Sequence, residues 1–355
     1  ASIQLGAGNR EGAEKILGNC FSMLLVLSVT LTVIFSIFKT PLLYMFGASD
    51  AIIGYAEDYI SIYLAGTIFV QLALGLNTFI SAQGHATVAM LSVLIGAVIN
   101  IVLDPVFILP WGLDMGAEGA GLATFLSNCV ACLYFFVLIW KKRGRTFVCI
   151  HPRKFSLEKR IVWGICNVGI PASIQNLLNV TGMTILNNFT SSFGADAVAA
   201  MGITQKINMV PMNVAMGLSQ GIMPLISYNY SSRNHKRMKG TLVFAVKASL
   251  GFIAIVAVGY FVGAAQLTQL FMDNETIVAY GTKFLRGFCL GLPFLCMDFI
   301  AVGVFQAVGM GREALLFAIM RKIVLEIPAL YILNFLFPLY GLAYAQLTAE
   351  VVLAG

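Results

Sequence analysis

The chain has 355 residues, of which 59% are apolar and only 11% charged, with a formal net charge of +6. An average soluble protein carries about a quarter charged residues, so this composition excludes a soluble globular domain and points to a membrane protein. The basic excess sits in short loops without interleaved aromatic residues, which excludes a nucleic-acid surface as a partner.

A bilayer core needs roughly 20 consecutive apolar residues per spanning helix. In chain order, such stretches predict helices near 16–38, 59–80, 87–109 and 117–140, then 161–188, 197–227, 240–263, 284–308 and 314–337, with another starting near 340. Several contain Gly or Pro, which membrane helices tolerate because neighbouring groups re-satisfy the freed backbone. The loops alternate in charge. One side holds Arg10, Lys15, the run from Lys141 to Arg160, the run from Arg233 to Lys239, and Arg312. The other holds Asp50, Glu57, Asp58, Asp114, Glu118, Asp196, Asp273 and Glu275, with Lys39 as its main basic exception. The positive-inside rule places the first side in the cytoplasm. The expected location is the cell inner (plasma) membrane, with the termini and the basic linker 141–160 cytoplasmic.

The sequence also repeats. One constant shift carries Phe46 onto Phe271, Tyr55 onto Tyr280, Gly66 onto Gly291, Gly84 onto Gly309 and Ala89 onto Ala314. After a short deletion, Gly119-Ala-Gly-Leu-Ala123 falls on Gly341-Leu-Ala-Tyr-Ala345. Internal repeats of this length are the mark of secondary transporters. The segment 161–223 has no partner in the first half, and the last helix stops short of the length of its counterpart. Restoring symmetry predicts an all-α integral membrane protein with two pseudo-symmetric six-helix lobes: twelve helices in the full-length protein, about ten present here. The expected division is an N-lobe at 1–140 lacking its first two helices, the linker at 141–160, and a C-lobe at 161–355 whose last helix is incomplete.

Polar residues inside apolar helices are expensive and therefore informative. Asn100 and Asp104 lie one turn apart on one helix face, and Pro105 frees a backbone carbonyl beside them. With Thr124 on the next helix they form a candidate cation site. The alternative is that Asp104 faces interfacial water, since Pro110-Trp111 follows closely. In the second half Gln175, Asn176, Asn179, Gln205, Lys206, Asn208, Asn213, Asp298, Glu326 and Glu350 form a wider polar scatter that either lines a cavity or bonds helices together. The candidate cavity residues are Gln175, Asn176, Asn179, Gln205, Lys206, Asp298 and Glu326. Lys206 has three options: to snorkel, to pair with Glu326 or Asp298, or to swing as a counter-charge.

Other motifs carry less. Gly217-Leu-Ser219-Gln-Gly221 matches a nucleophile elbow, but that device needs a strand before the turn, and here the segment is a continuous membrane helix. The three histidines lie in inner-face loops, leaving no base for Ser219, and the Gly-x-x-x-Gly spacing reads as close helix packing. An enzyme is not expected. Cys129-x-x-Cys132 lies within a hydrophobic helix and lacks a second pair, so it reads as packing rather than a metal or redox site, and no cofactor is expected.

Asn100-Ile-Val-Leu-Asp104-Pro-Val-Phe-Ile108, Gly116-Ala-Glu-Gly-Ala-Gly-Leu-Ala-Thr124, Gly169-Ile-Pro171-Ala-Ser-Ile-Gln175-Asn176 and Gly217-Leu-Ser-Gln-Gly-Ile-Met-Pro224 resemble stretches of the multidrug and toxic compound extrusion (MATE) transporters. That resemblance implies two six-helix lobes around a central cleft, working as a monomer that exchanges a cation, H⁺ or Na⁺, for drug-like small molecules. It assigns Asn100 and Asp104 to the N-lobe cation site and Thr124 to an accompanying hydroxyl. Amides at Gln175 and Asn176, where one branch of the family carries an acid, favour the branches coupled through the N-lobe, the staphylococcal-type exporters among them. The alternative within the superfamily is a flippase of lipid-linked oligosaccharides. Intramembrane arginines for a pyrophosphate are scarce, with Arg286 and Arg321 expected near helix ends.

Overall fold

The computed structural model describes residues 1–45, 50, 52–141 and 158–354. The linker expected at 141–160 therefore lies for the most part outside the described residues, as do Cys149 and His151. Among the described residues there are only helices and turns. Among the described residues, eight helices are long and apolar enough to cross a membrane. The chain divides into two compact units, Ala1–Val162 and Trp163–Gly355.

The first unit contains α1 (Ser2–Gly6), α2 (Arg10–Met45), α3 (Ile53–Ala82), α4 (Ala86–Ile108) and α5 (Gly116–Lys141). Its core joins Phe21 of α2, Leu72, Leu76 and Ile80 of α3, Ala89 of α4, and Cys132, Phe135 and Ile139 of α5. Cys132 is thus a small core residue. The opposite faces of α2 and α4 carry exposed Val26, Ile37, Val93 and Ile101. In water such faces would be a liability, but in lipid they are the solvent-facing surface.

After α6 (Lys159–Ser191), which begins at the end of the first unit, the second unit contains α7 (Ala195–Ser231), α8 (His235–Val262), α9 (Ala264–Gln269), α10 (Glu275–Ala307), α11 (Gly311–Ile319), a π-helical segment (Met320–Glu326), α12 (Ile327–Leu336) and α13 (Gly341–Ala354). Helix α10 is buried along most of its length and packs on α7, α8, α9, α11 and α13. Polar ends extend the helices beyond the apolar spans. Asn234 caps α8 by accepting from the Arg237 amide, and Asn274 caps α10 by accepting from the amides of Thr276 and Ile277, so these helices start before their first apolar run.

The sequence repeat survives as geometry. Helix α2 corresponds to α8 plus α9, α3 to α10, and α4 to the run α11–π–α12. Gly84 and Gly309 hold matching left-handed turns, with φ of 83° and 85°. Gly66 packs on Phe125 where its counterpart Gly291 packs on Leu347. One difference is instructive. A Cβ on Gly119 would meet the carbonyl of Phe107, and one on Gly341 the carbonyl of Leu333. Leu333 lies one residue further along than the shift set by Gly84 and Gly309 requires. The second half thus carries an inserted residue within this helix, and the π segment, whose turns hold more residues than α turns, absorbs it. The single helix expected over 314–337 is for that reason three consecutive helical segments.

Candidate functional site: one polar pair and one buried ion cluster

In the first unit, α4 places Asn100 and Asp104 on one face, and Asn100 Nδ2 donates to Asp104 Oδ1 at 3.3 Å. Both residues are half-buried. Pro105 has no N–H, so the carbonyl of Ile101 one turn back is free to accept from elsewhere. Together these groups present a carboxylate, an amide oxygen and a carbonyl oxygen, a donor set suited to a hard cation or a proton. Thr124 on α5 forms no hydrogen bond to this pair among the described residues. Its hydroxyl donates back to the Ala120 carbonyl at 3.0 Å, and its own carbonyl accepts from Asn128.

The second unit holds a denser arrangement, built on the π segment. Arg321 is 2% exposed. Its Nη1 lies 2.8 Å from Asp298 Oδ2 on α10 and 3.2 Å from Glu350 Oε1 on α13, donating a hydrogen bond to the latter. Its Nη2 donates to Asn179 Oδ1 on α6 at 2.9 Å. The neighbouring Lys322 pairs with Glu326 at 2.7 Å. Four separate helical elements thus converge on one guanidinium. A π turn widens the helix and rotates the residues beyond it, which lets the adjacent Arg321 and Lys322 each find its own acid. Arg321 corrects the expectation that it sits near a helix end, because it lies inside the long α11–π–α12 run.

The remaining polar residues fall into place singly. Gln175 is buried and accepts from Gln306 Nε2 at 3.1 Å, Gln205 donates to Asn187, and Asn176 is exposed. Asp298 and Glu326 are closed in by basic partners rather than open to a guest. Lys206 is exposed and forms no ion pair among the described residues, so of its three options pairing with Asp298 or Glu326 is not the one adopted. Another expectation is overturned. Gly217 and Gly221 do not mediate close packing, since a Cβ on either would meet nothing within 4 Å. Ser219 between them does the packing: it is buried, lies against Gly303, and donates to the Phe299 carbonyl at 2.6 Å.

Sequence reasoning undervalued Arg321 and left Glu350 outside its candidate site. The available signal was that Arg321, Lys322 and Glu326 in one apolar span, Asp298 in a second and Glu350 in a third are charges at a depth where they must find one another.

A polytopic helical protein with an internal repeat and polar groups buried at membrane depth belongs to the class of membrane transport proteins. The comparisons narrow this class. The MatE family model matches residues 1–106 and 171–332. The chain is 34% identical over 331 residues to the multidrug export protein MepA of Staphylococcus haemolyticus, covering 93% of this chain and 72% of that protein. It is 32% identical over 342 residues to MepA of Staphylococcus aureus strain MSSA476, covering 96% and 73%. Among solved structures, a MATE protein in complex with MaL6 superposes with a TM-score of 0.92 at 26% identity, covering 99% of this chain and 79% of that one. A MOP superfamily transporter from Pyrococcus furiosus superposes with a TM-score of 0.93 at 27% identity, covering the same shares. The chain belongs to the MatE family, and it is accordingly a multi-pass membrane secondary transporter rather than an enzyme.

Proposed function

We propose that this protein exports drug-like, cationic or amphipathic small molecules across the plasma membrane by alternating access, in exchange for an inward-moving cation, H⁺ or Na⁺. The observation that carries the reading is the Asn100–Asp104 pair, a half-buried carboxylate bonded to an amide within an apolar helix. A carboxylate at membrane depth is costly unless it holds a proton or cation or faces water. Alternation between those conditions is what coupling requires, because an ion drives a conformational change only through different affinities for the two states. The relatives described as multidrug export proteins support the substrate class. In this reading the protein acts as a monomer and keeps its termini and the 141–160 linker in the cytoplasm.

The rival reading, a flippase of lipid-linked oligosaccharides, needs cationic side chains free to hold a pyrophosphate. Arg321 is bound to two carboxylates and an amide and is not free for that role, while Arg286 spends its Nε on the Phe261 carbonyl and lies over the Phe261 ring. The test is export of a fluorescent lipophilic cation from cells expressing the full-length protein, with Asp104→Asn compared to wild type under imposed H⁺ or Na⁺ gradients. Gradient-driven export that Asp104→Asn loses is the expected result. Undiminished export by Asp104→Asn would refute coupling at this residue.

A further inference from the structure

We infer that the second unit carries a proton-binding site of its own, in which Asp298 and Glu350 share one proton across Arg321, and that the guanidinium excludes Na⁺ from it. The charge inventory comes first. The charged groups around Asp298 and Glu350, besides one another, are Arg321, Lys322 and Glu326. Three carboxylates therefore meet two basic groups, which leaves one negative charge uncompensated in a region where Asp298, Arg321 and Glu350 are only 2–4% exposed. Isolated charge in such surroundings is neutralised rather than tolerated.

The geometry says where. Lys322 and Glu326 form a pair of their own at 2.7 Å. The surplus therefore falls on Asp298 and Glu350, which share a single nitrogen, Arg321 Nη1, at 2.8 and 3.2 Å. Two buried carboxylates served by one cationic nitrogen leave one charge unbalanced, and a proton on either of them removes it. A second observation points the same way. Asp298 Oδ1 is fully buried and has no hydrogen-bond partner among the described residues, in a side chain 3% exposed. It is an oxygen that a proton completes.

Na⁺ would need several oxygens around one open position. Here the position between the two carboxylates is taken by the guanidinium, a cation tethered to the chain and anchored again at Nη2 by Asn179. A proton needs no such space. The site goes beyond the coupling proposed at Asp104, because it lies in the other unit and its occupancy can be counted without any transport.

The experiment is infrared spectroscopy of the purified full-length protein in lipid nanodiscs, following the C=O stretch of protonated carboxyl groups at neutral pH. Wild type is expected to show a protonated-carboxyl component, separate from any at Asp104, that is missing in Asp298→Asn and equally in Glu350→Gln, since either change leaves a single carboxylate balanced by Arg321. Addition of Na⁺ is expected to leave that signal in place. A wild-type spectrum with no protonated-carboxyl component beyond those that both variants keep would overturn the shared proton. Loss of the signal on adding Na⁺ would overturn its exclusion. Isosteric amides are used so that the packing around Arg321 is kept, and thermal unfolding of each variant confirms that it is folded.

Discussion

Replacing Arg321 by Met tests the ion cluster most severely. The methionine fills a comparable volume without charge, and Asp298 and Glu350 then lose the guanidinium that contacts both. With side chains 2–3% exposed, they stay buried and must be kept neutral instead. At pH 7, holding a carboxyl protonated costs about 1.36 kcal/mol for each unit above its ordinary pKa of about 4, or roughly 4 kcal/mol for each additional proton required. This agrees with the ~3–5 kcal/mol typical of breaking a buried ion pair by removing one partner. Glu350→Gln removes the surplus charge and keeps an oxygen to accept from Nη1, so the ~1 kcal/mol lost with the weaker hydrogen bond is offset by the proton no longer required. In a unit of this size, each kcal/mol moves the melting temperature by about 2–4 °C. Arg321→Met is therefore expected to melt roughly 10 °C below wild type, and Glu350→Gln within a few degrees of it. The sign with pH comes from linkage. The folded variant needs a proton that the unfolded chain does not bind at pH 7, so the penalty shrinks by about 1.4 kcal/mol for each unit the pH falls towards 4. Thermal unfolding of the full-length protein at pH 5 and 7 reads both quantities. The reasoning is refuted if Arg321→Met matches Glu350→Gln in stability, or if its deficit deepens at acid pH.

Gly303→Ala should cost about 2–4 kcal/mol, combining overpacking with displacement of the buried Ser219 hydroxyl, and Ser219→Gly in the same chain should recover most of that loss in a thermal-shift assay. Gly217→Ala and Gly221→Ala, which point into open space, should stay within about 0.5 kcal/mol of wild type by the same measurement. Asn179→Leu strands an Arg321 donor and should lower stability by roughly 1.5–3 kcal/mol, with Asn179→Asp milder at pH 5, where a carboxyl that takes a proton still accepts the hydrogen bond. Asn100→Leu leaves Asp104 without its amide partner, and export by the full-length protein is expected to need a steeper cation gradient while surface expression stays unchanged.

The polar pair on α4 was legible in the sequence because its partners are one helical turn apart, a distance fixed by helix geometry alone. Thr124 is placed by no such local rule: a hydroxyl on a separate helix satisfies itself locally as readily as across the gap, and here it donates to the Ala120 carbonyl. Gly217 and Gly221 misled for a related reason: their spacing guarantees a smooth stripe on α7 but does not say which side the stripe faces. The stripe meets no neighbouring atom within 4 Å, while Ser219 meets α10.

The order of residues was enough to define the spanning helices, the repeat and the family, because a hydrocarbon solvent forces each segment to satisfy its backbone internally and to advertise its length in apolar residues. Which buried charges meet is a property of the packed helices. Arg321 and Asn179 are 142 residues apart, and their contact depends on the rotation of each helix and on a π turn that one inserted residue introduces. No local pattern encodes those rotations, since they are set by how the faces of several helices pack together.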